Sequence, residues 1–289
     1  MSGFFRRVVA TVFLLGAAPL AAASEPQGVE SVVPAPPMDQ IGEPHPHGWR
    51  QVGSDARYLW TRPAHLDRVG VTKVALTAGT VGLLYLYREE IRRWVQERSD
   101  PQTSEFLDRI SVMGHEGFAP TLALLAYGAS FATRNAREKE TAVLLLESAG
   151  HTALLTGIGQ SVLSTQRPFD GEEIDYFSRR GHGVSGHAAL AASVVPILSR
   201  QYLVVHSDDS AAARFWKVGG ASALYAGAFL TGYQRLDADE HWAPEVFLGL
   251  VTGFSVGQIL SDSHERARRE PPPVSFSIGP GSFQARVSF

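Results

Sequence analysis

Apolar positions in this chain gather into long runs, with uncharged stretches of about 14 to 19 residues, rather than alternating with polar ones. Val71–Tyr87, Phe118–Thr133, Thr141–Thr165, Gly186–Val205, Phe215–Tyr233 and Pro244–Leu260 are each dominated by Ala, Leu, Gly and Val, with few β-branched or aromatic clusters. Runs of that length and composition predict helices, not strands. The charged stretch from Arg88 to Arg98 reads as a solvated extension of the first helix. Only the C-terminus changes period. Val274, Phe276 and Ile278 alternate with serines, and Phe283, Ala285, Val287 and Phe289 alternate with polar residues beyond Gly279-Pro280-Gly281-Ser282. Period two around such a turn predicts a β-hairpin. The expected fold is an all-α bundle of about six core helices with a short C-terminal β-hairpin.

The two ends of the chain are set apart by composition. Arg6 and Arg7 precede an apolar stretch, Val8 to Leu15, and a small-residue stretch ending Ala21-Ala22-Ala23-Ser24. This is the order of a secretory signal peptide, so residues 1–24 are expected to be removed on export. Residues 25–54 are rich in Pro and Gly and aperiodic, as in a linker. The helical domain is expected over 55–265 and the hairpin over 272–289. The helical runs fall at or below the roughly 20 apolar residues needed to cross a bilayer. They are diluted by Gly, Ser, Thr, Gln and His, and the expectation is a soluble or membrane-peripheral bundle.

Composition narrows the function. With no Cys, neither a disulfide scaffold nor a thiolate zinc site is available. A net charge of -3 argues against nucleic acid as a partner held by bulk basic charge. Mean hydropathy of -0.04 places the chain at neither extreme.

Three clusters put titratable groups at predicted helix ends. The first runs from Gln160 to Arg167-Pro168, where the proline disfavours helical geometry at Arg167 and ends the helix. In the second, Ser185 is a good N-cap for a helix opening Gly186-His187-Ala188-Ala189. Its free N–H groups attract anions, although an ordinary capped helix with an incidental His has the same sequence. The third runs from Arg235 through His241 to Glu245. A carboxylate four residues after a His can bond the ring and set its tautomer, leaving the other nitrogen for attack on a substrate. The plain alternative is a loop ion pair between Arg235 and Asp237, Asp239 or Glu240. Glu147 and His151, also four apart, suggest a buried polar pair behind the site.

These clusters resemble the type 2 phosphatidic acid phosphatase superfamily, which includes class A acid phosphatases and vanadium haloperoxidases. Its pattern is Lys-x6-Arg-Pro, Pro-Ser-Gly-His and Ser-Arg-x5-His-x3-Asp. This chain has Gln160-x6-Arg167-Pro168, Val184-Ser185-Gly186-His187 and Gln234-Arg235-x5-His241-x3-Glu245. The resemblance implies a phosphoric ester hydrolase that needs no metal or cofactor and acts on a phosphorylated small molecule or lipid. It assigns His241 as nucleophile, Glu245 as its orienting carboxylate and His187 as the proton donor. Arg167, Arg235, Ser185, Gly186 and Gln160 would bind the phosphate. Four positions depart from the pattern: Val184, Gln234, Glu245 and, above all, Gln160, which replaces a cation. Removing one such donor typically costs on the order of 10²–10³ in rate. A weakened enzyme is therefore expected. A non-catalytic anion- or lipid-binding envelope protein is the alternative, and a vanadate-dependent haloperoxidase the remoter one.

Overall fold

The computed structural model describes residues 49–163, 165–169, 181–269, 274–279 and 282–287. The expected signal peptide lies outside them, as does most of the expected linker. Among the described residues the chain forms α1 (Trp49–Thr61), α2 (Arg68–Leu86), α3 (Arg88–Gln96), α4 (Pro101–Ile110), α5 (Phe118–Thr133), α6 (Ala136–Val162), α7 (Gly186–Tyr202), α8 (Ala211–Asp237) and α9 (Ala243–Arg269). Two 3₁₀ turns, Arg62–His65 and Ser111–Gly114, join them. Strands β1 (Val274–Gly279) and β2 (Ser282–Val287) pair antiparallel, with Val274 opposite Val287 and Gly279 opposite Ser282. Pro280 and Gly281 of the expected turn lie outside the described residues. The fold is all-α with this one hairpin. Helix α1 begins at Trp49, before the expected linker boundary at residue 54.

Local chemistry explains most of the helix starts. Asp67, Asp100, Asn135, Ser185 and Ser210 each accept a hydrogen bond from a backbone N–H of the first turn they cap. Pro101 sits in the first turn of α4, where a missing N–H costs nothing.

At the centre is α7, whose Ala188, Ala189, Ala191, Ala192, Val194, Val195 and Ile197 are fully buried. It packs along α9, with α6 and α8 on its flanks and α5 outside α6. The α7–α9 contact is backbone against backbone. Gly249, Gly253 and Gly257 recur every four residues on one face of α9. A Cβ on each would lie 2.4, 2.0 and 2.3 Å from the carbonyl oxygens of Ser185, Ala189 and Ser193. Only glycine fits there, and that close approach aligns the N-terminus of α7 with that of α9.

One expectation changes here. The stretch 88–98 is not a solvated extension. The helix breaks at Tyr87, and α3 packs inward through Ile91 and Val95, 7% and 1% exposed. Its outward Arg and Glu residues masked that period. The uncharged runs are shorter than a bilayer span, yet among the described residues three helices are, by length and composition, long and apolar enough to cross a membrane: α2, α6 and, over Ala243–Arg268, α9. Flanking polar residues lengthen each helix beyond its uncharged run. Only 6% of the apolar stretch of α2 is buried, and Val69, Val71, Val74, Leu76 and Leu86 stand exposed along it. Exposed Leu124, Leu125 and Phe131 on α5, and Leu146, Leu154 and Ile158 on α6, add further apolar surface.

Candidate active site

The α8–α9 turn builds the centre of the site. Arg235 accepts hydrogen bonds at its carbonyl from the Glu240 and His241 amides, at 3.0 and 3.3 Å. Asp239 takes a left-handed conformation, φ 57°, to make that return. Its carboxylate receives two hydrogen bonds from Arg92 of α3, at 2.7 and 2.6 Å. Gln96 donates to the carbonyls of Leu236 and Asp237. Helix α3 thus clamps the loop that carries His241.

His241 and Glu245 are buried, 7% and 3% exposed. Nδ1 of His241 lies 2.9 Å from Oε2 of Glu245. That oxygen also accepts from the Trp242 amide at 3.1 Å, and Oε1 accepts from the Thr165 hydroxyl. An ionised Glu245 therefore holds the proton on Nδ1 and leaves the lone pair on Nε2. Glu in place of Asp lengthens the arm by a methylene, and the pair still closes within one turn.

The second cluster docks onto the third through backbone: the Ser185 amide donates to the Glu245 carbonyl at 3.1 Å. Ser185 caps α7 and has no exposed surface. Behind it, Gly114 lies so close that a Cβ there would meet the His187 carbonyl at 2.5 Å. Burial first, then the positive charge of Arg235, holds His187 far below the usual histidine value, at about 4. His241, His115 and Arg167 act on it in the same direction. These groups converge on one region.

The first cluster closes the ring. Gln160 donates to the Val184 carbonyl at 2.9 Å and stands beside Gly186. Its amide thus braces the loop before α7. The Gln166 carbonyl accepts from the Trp242 indole at 3.1 Å. Arg88 and Arg92 lie over that indole ring.

Gln234, whose role the sequence left open, orients Arg235. It accepts from Nη1 of Arg235 at 3.0 Å and donates to Asp108 at 2.7 Å. The loop ion pair raised as an alternative is present too, and Glu240 makes it. Its carboxylate bonds Nη2 of Arg235 and lies 3.8 Å from Nη1 of Arg167. Asp237 turns to Ser104 and Asp239 to Arg92 instead.

Sequence reasoning missed three neighbours and the reach of Glu240 to a second arginine. Thr165 bonds Glu245, His182 stacks edge-on to His241 with ring centroids 6.2 Å apart, His115 lies near His187, and Glu240 faces Arg167 as well as Arg235. Thr165 and Glu240 stand within or beside the motifs. His115 has no sequence signal linking it to them. The expected Glu147–His151 pair does not form as such. His151 packs edge-on to Trp60, and Glu147 turns to His264. The His and carboxylate groups placed to share a metal ion, Asp55, Glu147 and His264, lie elsewhere in the bundle.

Fold and site together define an all-α protein with a buried histidine–carboxylate pair, a second histidine and two guanidiniums at the meeting of two helix N-termini. No family model and no curated protein matches the chain. It is similar to two solved structures. One is LpxE of Aquifex aeolicus, at 21% identity and a TM-score of 0.45, covering 61% of this chain and 94% of that one. The other is a transmembrane PAP2 type phosphatidylglycerolphosphate phosphatase of Bacillus subtilis. It matches at 17% identity and a TM-score of 0.47, covering 76% of this chain and 98% of that one.

Proposed function

We propose that this protein is a membrane-embedded phosphatase of the type 2 phosphatidic acid phosphatase kind, exported to the cell envelope and acting on a lipid phosphate or diphosphate. The observation that carries the reading is the buried His241–Glu245 pair, which keeps one imidazole lone pair available beside two guanidiniums. The bilayer placement rests on the three long apolar helices and the apolar surface along α2, α5 and α6. Such surface is too extensive for a monomer in water.

The chemistry follows from the placement. Nε2 of His241 attacks phosphorus and forms a P–N bond as the ester P–O bond breaks. His187 gives its proton to the leaving oxygen. A water then attacks the phosphohistidine, passing its proton to His187, and the P–N bond breaks to release phosphate. Arg167, Arg235 and the amides at the start of α7 hold the phosphoryl oxygens. The negative charge of a bound phosphate raises the proton affinity of His187 and so loads the acid when substrate is present. Full-length protein in detergent should hydrolyse a phosphate ester in the presence of chelator. Acid quenching should destroy, and alkaline quenching preserve, a phosphoryl label on the chain. Turnover without such a label would overturn the nucleophile assignment.

A second reading, anion binding without turnover, is favoured by Gln160 in place of a cation and by Glu240 on both arginines. The carboxylate of Glu240 competes with any phosphate for them. Glu240→Gln should therefore tighten inhibition by inorganic phosphate roughly tenfold, the equivalent of about 1.4 kcal/mol of relieved repulsion. An unchanged or weaker inhibition constant would show that Glu240 serves only to order the arginines.

A further inference from the structure

A second cluster of ionisable groups lies far from His241. His264 is on α9, about 19 residues beyond Glu245, or about 28 Å at the helical rise of 1.5 Å per residue. It meets Asp55 of α1 and Glu140 and Glu147 of α6. The side chains of His264, Asp55, Glu140 and Glu147 are 1%, 0%, 2% and 7% exposed. Nε2 of His264 lies 2.9 Å from Oδ2 of Asp55 and 3.9 Å from Oε2 of Glu147.

Hydrogen bonding within the cluster is lopsided. Oδ1 of Asp55 accepts from Ser263 at 2.6 Å and from Gln51 at 2.9 Å. Nδ1 of His264 faces Oε1 of Glu140 at 3.3 Å, and Arg268 lies 3.3 Å from the other oxygen of Glu140. On the inner side, however, both oxygens of Glu147 are buried without a hydrogen-bond donor, and Oδ2 of Asp55 faces only Nε2 of His264. An unpaired buried carboxylate is strongly unfavourable, and a native interior does not leave one without cause. The three inner groups each bring one ligand atom within 4.8 Å of the others. Three carboxylates, Asp55, Glu140 and Glu147, crowd around His264 with one guanidinium, that of Arg268, at their edge.

We propose that Asp55, Glu147 and His264 bind a divalent transition-metal ion that ties α1, α6 and α9 together. One imidazole and two carboxylates suit zinc-like ions. Glu140 on Nδ1 of His264 is the outer carboxylate that orients a ligating imidazole and raises its basicity, and Ser263 and Gln51 hold the Asp55 ligand in the same way. The ion supplies the positive charge that the inner oxygens lack. It is structural, since the phosphatase chemistry proposed above takes place at the other end of α9, and it stands whether or not that chemistry does.

The test uses full-length protein in detergent, stripped with chelator and titrated with Co²⁺ alone. One equivalent should bind, with visible d–d absorption, and Zn²⁺ should displace it and raise the melting temperature. Glu147→Gln and Asp55→Asn should each weaken binding by roughly 100-fold or more. Glu140→Gln, which leaves the three ligands in place, should weaken it by roughly 10- to 100-fold and serves if the ligand variants fail to fold. His241→Ala should bind as the wild type does. Absence of stoichiometric binding in the wild type would overturn the proposal. So would binding that is equal in the wild type and in whichever of these variants folds.

Discussion

Replacing His241 with Ala should lower phosphatase turnover by at least on the order of 10⁴-fold, the scale seen when a covalent nucleophile is removed. Among the described residues the side chain hydrogen-bonds Glu245. Glu245 keeps its bonds from the Trp242 amide and the Thr165 hydroxyl, so the loop should stay folded. Circular dichroism and the melting temperature of the variant check that condition. The contrast with His187→Ala separates the two histidines. A proton donor matters most when the leaving oxygen is strongly basic, so His187→Ala should slow alkyl phosphates far more than aryl phosphates. His241→Ala should abolish both. Equal residual activity of the two variants on both substrates would sink the division of roles.

The largest effect on folding is expected at Gly253. A Cβ there would stand 2.0 Å from the Ala189 carbonyl, and 2.9 Å from both its carbon and the Ala192 Cβ. Those atoms belong to the backbone and innermost face of α7, which has no room to retreat because its opposite faces are also buried. Overpacking by a methylene typically costs about 1–3 kcal/mol. Gly253→Val, against a helix backbone, should cost more than about 3 kcal/mol and strip the protein of its cooperative thermal transition. Gly79→Ala is the control. Nothing lies within 4 Å of a Cβ at Gly79 on exposed α2, so the change should be neutral or slightly stabilising. Similar melting temperatures for the two variants would mean that α7 and α9 do not pack as described. Because the same contact aligns Ser185 and Glu245, partial unfolding at Gly253 should also abolish activity.

Much of the site was legible because its chemistry is local. Ser185 before Gly186 and an alanine run is an N-cap by residue type. His241 and Glu245 are four apart across a helix start, a spacing that brings their side chains together whatever surrounds them. Arg167-Pro168 was expected to end a helix, but α6 already stops at Val162, five residues earlier, so the proline only keeps the following loop out of helical geometry. The all-α class was legible for the same reason, since long Ala- and Leu-rich runs have few alternatives to a helix. Glu147 and His151 show where such reasoning stops. They have the same four-residue spacing, yet mid-helix position allows the pair without requiring it, and Glu147 faces His264 of α9 instead.

The sequence by itself determined the long apolar helices, the Ser185 cap and the three clusters of chemical groups, because each depends on residues within one or two turns of one another. Only the tertiary structure decided which of three loop acids reached the arginines, that α3 clamps the His241 loop, and that His264 gathers carboxylates from two other helices. Arg92 with Asp239 and His264 with Glu140 are each more than a hundred positions apart, so no local pattern in the sequence constrains them. The placement of apolar surface was also a tertiary outcome. Whether a leucine on α2 or α5 faces a neighbour or the surroundings depends on how the helices pack, and it is that exposed surface on which the proposed bilayer placement rests.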